Sequence, residues 1–321
     1  MWARLFTTAL LVSSVLAIVV DKRAAPVDQL VGFATQNGGT TGGAGGPTTT
    51  VTSLAALRSA VTGASPKIVQ VSGIITGDGE VVDVGNHTTV IGVGSNSGIT
   101  GGGFRVKKGT NVIFRNLRLS KSPAPTDLIE LQTSTNIWVD HNTFSSDLDH
   151  GKDFYDGQLD MNHGTDFVTV SWNIFTEHFK TSLVGGSDNT GSEDSGHLRV
   201  TYHHNLFQDV NSRTPSIRFG TAHLFSNFFN DVFDSAVDSR DGAQTLVENN
   251  VFQNVKDPIE TTLRGGFSNQ RNNIFTNSTL DTGLAVGTLT TVPYTYTQDA
   301  ADTVVSIVNA NAGAGKVTTL P

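Results

Sequence analysis

The sequence predicts an all-β chain folded as a single-stranded right-handed parallel β-helix with a short capping helix. Three observations carry that expectation. Seven segments repeat a short alternating strand followed by Asn, namely Asn116, Asn142, Asn173, Asn205, Asn227, Asn250 and Asn273, at steps of 26, 31, 32, 22, 23 and 23 residues. A recurring period of this size marks a solenoid, and a strand as the unit makes it a β-solenoid. Phe144, Phe175, Phe207, Phe229, Phe252 and Phe275 each follow their Asn by two residues, as an interior aromatic row requires. Composition agrees, because 16% charged residues with 34 Gly suit many short strands and turns better than helices.

Each element then has a reason. Side-chain amides of Asn at one phase of every coil can bond the Asn above and below, which satisfies turn backbone and fixes register. Coils stacked at roughly 4.8 Å bury one another's faces, so stability comes from repetition. That matters in a chain with no Cys, which has no disulfides, no zinc–thiolate site and no cysteine nucleophile. Open ends of a solenoid need covers. Residues 52–63 read as an amphipathic helix with a hydroxyl N-cap and a Gly stop, placed to close the N-terminal end, and Asp299 to Val308 as a second short helix near the other end. The Gly38–Gly46 stretch belongs to the same domain, since no second core precedes it.

At the N-terminus, Arg4 precedes the apolar run Leu5–Val20, and Val15 and Ala17 suit signal peptidase. Residues 1–17 are expected to be a signal peptide, residues 18–23 a pro-segment ending at Lys22-Arg23, and residues 24–321 one domain. The run is short for a membrane span, so a secreted, extracellular protein without a membrane partner is expected. Loss of residues 1–23 removes Arg4, Lys22 and Arg23 against Asp21, taking the net charge from −8 to −10. An acidic chain is a poor nucleic-acid binder. Asn86-His-Thr88 and Asn277-Ser-Thr279 are glycosylation sequons that agree with secretion.

The charges gather where the ladder is interrupted. Lys180 lies seven residues past its Asn and Arg213 eight past its own, so the two are expected to be neighbours on adjacent coils. Asp127, Asp156 and Asp160 fall eleven to eighteen residues past theirs, and Arg218 thirteen past, in the arc that forms the next strand and its entry loop. Three carboxylates and three cations are thus expected on one side. Asp140 and His141 read as partners of the ladder, and His203-His204 has no second ligand cluster that would indicate zinc.

These segments resemble the pectate lyases, particularly the secreted fungal enzymes. Ile137-Trp-Val-Asp-His141, Asp156-Gly-Gln-Leu-Asp160, His178-Phe-Lys180-Thr-Ser-Leu-Val-Gly185 and Arg213-Thr-Pro-Ser-Ile-Arg218 match that family's motifs in order, as do the Gly-rich opening and the Ala312–Lys316 tail. One departure is Ser216, where many members carry Arg. The resemblance implies calcium-dependent β-elimination of polygalacturonate. It also implies that Asp127, Asp156 and Asp160 ligate Ca2+, that Arg213 is the base, and that Lys180 and Arg218 contact substrate carboxylates. A monomer is expected.

The chemistry is consistent with those residue types. Calcium takes several oxygen ligands at flexible geometry, and three Asp leave the site near −1, which the three cations reverse locally. Elimination removes the C5 proton, α to the C6 carboxylate, and needs no nucleophile, unlike glycoside hydrolysis. Arginine is ordinarily always protonated, so its use as a base implies crowding by positive charge and an alkaline optimum. Pectin lyase is the nearest rival, with an aromatic-rich cleft and no calcium, but after processing only Trp138 and Trp172 remain. A polygalacturonase needs hydrolytic motifs that are absent. A non-catalytic β-helical carbohydrate-binding protein is the rival from outside the enzymes.

Overall fold

The computed structural model describes residues 26–317 and 319–320. The expected signal peptide, residues 1–17, and pro-segment, residues 18–23, therefore lie outside the described residues. The chain winds as a parallel β-helix of about ten coils with three faces, as the repeat predicts. Ten strands, from Thr48–Val51 to Phe267–Arg271, stack as one continuous parallel face. The second face runs from Ile74–Thr76 through Thr143–Ser145, Ile174–Lys180 and Leu206–Ser212. The third runs from Val81–Asp83 through Gly103–Lys107, Ile129–Gln132, Leu159–Asn162, Ser182–Val184 and Ser216–Arg218. The long strand Phe228–Arg240 passes from the second face to the third and joins them into one sheet.

The Asn ladder is present from Asn142 to Asn273. Each side-chain amide donates to the next Asn at 2.9–3.1 Å. Each also donates to a backbone carbonyl of the preceding coil, such as Asn205 to Val170 O at 2.9 Å, and each Oδ1 accepts a backbone N–H as well. A fully satisfied buried amide stabilises rather than penalises the core. The residue before each ladder Asn (His141, Trp172, His204, Ser226, Asn249, Asn272) has positive φ, which makes the corner between faces. Such a conformation costs roughly 1–2 kcal/mol for a non-Gly residue, and the ladder offsets it.

Asn116 is not a rung. It pairs in phase with His141, shares its positive φ, and bonds Gly92 O and Gly94 O. Leu117 occupies the ladder position, and its N–H donates to Asn142 Oδ1 at 2.9 Å. The first unit is therefore out of phase by one residue, because an Asn is as well suited to the left-handed corner as to the ladder. Inside, Phe144, Phe175, Phe207, Phe229, Phe252 and Phe275 stack with centroids 4.6–5.2 Å apart and planes within 10°.

The N-terminal cover is the helix Leu54–Ala60, capped by Ser53 Oγ, with Leu57 and Val61 buried on the first coils. The second helix, Ala301–Asn311, does not cover an end. Val304 and Val308 pack sideways onto Leu206, Phe228 and Val251, on the outside of the coils. Leu280 and Leu284 pack on the C-terminal end of the core instead. The Gly-rich opening straps the first face: Asn111 Oδ1 accepts from Thr41 N and Gly42 N at 2.7 Å, and Thr89 Oγ1 from Gly43 N at 2.9 Å. A Cβ at Gly43 would sit 1.8 Å from Lys67 O, so only Gly allows that approach. Asp140 and His141 are buried as expected of structural residues. Their partners, however, are each other, Arg115 and Ser171 rather than the ladder.

Candidate active site

On the third face, strand register aligns Asp83, Arg105, Glu130, Asp160, Leu183, Ser216, Asp238 and Glu260 in one file. Alternation along each strand turns this file away from the core. Asp160 is near its middle, with Oδ1 accepting Leu183 N at 3.0 Å. The loops that enter this face bring Asp127 and Asp156 beside it. Gly157 N donates to Asp127 Oδ1 at 2.7 Å, which ties the two loops together. A Cβ at Gly157 would lie 2.4 Å from Asp160 Oδ1, so the missing side chain lets the loop close over that carboxylate.

The three acids act on one another. Burial pushes the Asp127 carboxyl far above the usual range, and the charges of Asp160, Asp156 and Glu130 push it further. Burial also raises Asp160, against the opposing pull of Arg213, the Leu183 N–H and Lys180. Carboxylates held together without enough positive charge are costly, and a hard cation with oxygen ligands relieves that cost. The donor chemistry of these acids fits calcium, although no group of three or more His, Cys, Asp or Glu among the described residues is placed to hold a metal ion as it stands. Water or a substrate carboxylate can complete such a shell.

The cations stand on the adjoining coils. Lys180 Nζ lies 3.3 Å from both Asp153 and Asp156. Lys180 is in register with Ser212, so Arg213 is one residue further along the next coil, as the spacing predicts. Lys180, Arg213, Lys152, Asp153, Asn211 and Asp234 line one depression. Arg213 has φ of 59°, a conformation Thr181 and Ser235 at the corresponding places do not share. An isolated left-handed residue of this kind is a reason to look for function. Below, buried His178 bonds Ser146 Oγ at 3.0 Å, at the start of the acidic loop. Burial pushes its imidazole down to about 4.

Arg218 belongs to a neighbouring cluster. Its Nε meets Asp188 Oδ1 at 2.5 Å and Asp241 at 3.5 Å, and its Nη1 donates to Gly185 O at 3.0 Å. Gly185, which follows Ser182–Val184, brings Arg218 two strand positions and two coils from Asp160, roughly 12 Å on the sheet grid. Ser216 donates to Asp238 Oδ2 at 2.8 Å. The structure gathers Asp127, Asp156, Asp160, Lys180 and Arg213 together and sets Arg218 further along the same face, with Glu130, Asp153 and Asp188 as neighbours that the sequence reading did not single out. Glu130 was findable, because Ile129-Glu-Leu-Gln132 and Leu159-Asp-Met-Asn162 match residue for residue in character. Trp138 and Trp172 are buried and line no part of this groove.

Fold and site together define a β-helical protein with a mixed acidic and basic groove on one face. A family model described as pectate lyase matches residues 4–317. Pectate lyase A of Aspergillus niger is 47% identical over 293 residues, covering 91% of this chain and 90% of that protein. Pectate lyase A of Emericella nidulans is 47% identical over 299 residues, covering 91% and 89%. A crystal structure of a Bacillus sp. N165 pectate lyase in complex with trigalacturonate superposes with a TM-score of 0.83 at 34% identity, covering 89% of this chain and 99% of that one. The chain belongs to the pectate lyase family, and it is an enzyme of that class.

Proposed function

We propose that this protein is a secreted, calcium-dependent lyase that cleaves (1→4)-α-D-galacturonan by β-elimination and leaves 4,5-unsaturated ends. The observation that carries the reading is the meeting of Asp127, Asp156 and Asp160 with Lys180 and Arg213 at one groove. Asp127, Asp156 and Asp160 would hold Ca2+, which when bound supplies positive charge against the C6 carboxylate of the sugar being cleaved. Lys180 exchanges Asp153 for a substrate carboxylate, and its charge favours the enolate-like transition state. Arg213 takes the C5 proton, and the glycosidic oxygen departs from C4. Arg218, with Nε and Nη1 already committed, serves from the groove floor one or two sugars away. The Bacillus relative solved with trigalacturonate supports an oligogalacturonate occupant.

The same reading takes residues 24–321 as one extracellular monomeric domain released from residues 1–17 and 18–23, with neither nucleic acid nor membrane as a partner. Asn277 is exposed, with its Nδ2 on Asn254 Oδ1 at 2.8 Å, and Asn86 is half-buried, with its Oδ1 on Thr110 N at 3.1 Å, so Asn277 is the more accessible of the two glycan acceptors. The test is incubation with polygalacturonate, with and without calcium, while following ultraviolet absorbance of the unsaturated product. Reducing ends without absorbance would indicate hydrolysis, full activity in excess EDTA would favour a pectin lyase, and the absence of both reducing ends and absorbance would overturn the proposed activity.

A further inference from the structure

The depression at Lys180 and Arg213 is lined by polar side chains and half-buried Phe179, and a loop that borders it carries a second, exposed aromatic ring. Phe154 is 49% exposed, whereas the Phe residues of the interior row from Phe144 to Phe252 are fully buried. An exposed Phe is unremarkable alone, but this one is held in place. His150 stacks against it at 4.0 Å with planes 20° apart, and Tyr155 meets it edge-on at 4.8 Å. Both neighbours are fixed by Asp147, which accepts from His150 Nδ1 at 2.6 Å and Tyr155 Oη at 2.7 Å, with Lys121 Nζ at 3.4 Å. Phe154 O accepts Ala124 N at 3.0 Å, and Pro123 bridges Tyr155, so the loop is pinned to the segment that leads to Asp127.

Its place along the chain matters as much. Asp153, the preceding residue, is the partner of Lys180 Nζ at 3.3 Å, and Asp156 follows two residues later. Lys152 and Asp153 form a wall of the depression shared with Lys180 and Arg213. We infer that Phe154, backed by His150, is a stacking platform for a galacturonate ring next to the one being cleaved, a specificity contact that rests on the function proposed above. A galacto-configured ring has an axial O4, which leaves the C–H groups at C3, C4 and C5 clustered on one face. That face is apolar and matches an aromatic ring, while the carboxylate at the ring edge stays clear of the stack. A ring already locked by its neighbours loses little conformational entropy when the sugar docks.

The test compares steady-state kinetics on polygalacturonate for wild type, F154A, F154L and F154W, with melting temperatures measured alongside. F154A and F154L are expected to raise KM about tenfold, with kcat changed less than threefold and melting temperature within 2 °C of wild type. F154W, which keeps a flat face, is expected to restore KM. F154L isolates the stacking face, because it keeps apolar bulk in the loop. A wild-type KM in F154L, or a KM within twofold of wild type in F154A, overturns the platform while leaving the lyase reading intact. A fall in kcat with a lowered melting temperature in both F154A and F154L, unrelieved in F154W, also overturns it, since it marks a loop brace. A wild-type protein that yields no unsaturated product overturns the function on which the platform rests.

Discussion

The N–H of Gly157 donates to Asp127 Oδ1 at 2.7 Å, so the residue between Asp156 and Gln158 also fixes the carboxylate of the preceding coil. Through this bond and the space above Asp160, one glycine sets the spacing of three acids that are 33 residues apart in sequence at their widest.

Gly157→Ala should therefore weaken metal binding without unfolding the chain. The added Cβ would stand 2.4 Å from Asp160 Oδ1 and displace that carboxylate. Calcium affinity measured by isothermal titration calorimetry is expected to fall at least tenfold, on the scale of about 1.4 kcal/mol, with the circular dichroism spectrum unchanged.

Removing the metal should cost more stability as pH rises. Asp127 and Asp160 have carboxyls raised above the unfolded value, so the metal-free folded chain binds more protons than the unfolded chain above roughly pH 3.9. Its stability then declines as pH increases, and a bound cation replaces the lost protons. The difference in melting temperature between calcium and EDTA samples is expected to widen from pH 5 to pH 9. A constant difference would show that the three acids do not share the cation.

Arg213→Ala should remove activity with little effect on folding. Loss of a general base lowers rate by about 10²–10⁴, and the side chain contributes nothing to the core. The wild-type pH–rate profile is expected to peak on the alkaline side, as an arginine base requires. A maximum below neutrality would argue against this assignment.

Asn205→Ala should be among the most damaging substitutions outside the groove. It takes from the N–H and side-chain amide of Asn173 their shared acceptor and leaves Val170 O and Asn227 Oδ1 without the amide donor between them, although the backbone N–H of residue 205 still reaches Asn227. Buried groups left without partners cost about 1–3 kcal/mol each, so a loss of at least 3 kcal/mol is expected in denaturant unfolding.

Acid should destabilise the fold through its histidines. Burial lowers His178 to about 4 and also depresses His203, His204 and His223. A depressed imidazole lets the unfolded chain take up protons first, so stability is lost as pH falls from about 6.5 toward 4. Denaturation midpoints between pH 7 and pH 4 check this, and His178→Asn is expected to flatten part of the slope.

Much of this was legible in the sequence because it is periodic. Six rungs, six stacked Phe and the neighbourhood of Lys180 and Arg213 follow from counting residues past each Asn, and the Ser53-capped helix from its hydroxyl N-cap and Gly stop. Counting failed where two positions accept the same residue type, as when Asn116 took the corner and left Leu117 in the ladder. It failed again for the helix Ala301–Asn311, whose amphipathic pattern says that one face is covered but not by what. Leu206, Phe228 and Val251, the residues after three rungs, supply that cover.

By itself, then, the sequence determined a cysteine-free β-helix whose coils are held by repeating Asn and Phe, and the order of the motifs that give its family. Repetition makes this possible, since each coil's contacts are with its neighbours at a constant offset. Only the tertiary structure decided which charges meet. Strand register placed Glu130 beside Asp160, Gly157 closed the acids on one another, and Asp188 with Asp241 drew Arg218 into its own cluster. Those pairings depend on loop lengths and on electrostatics across coils, which no single repeat contains.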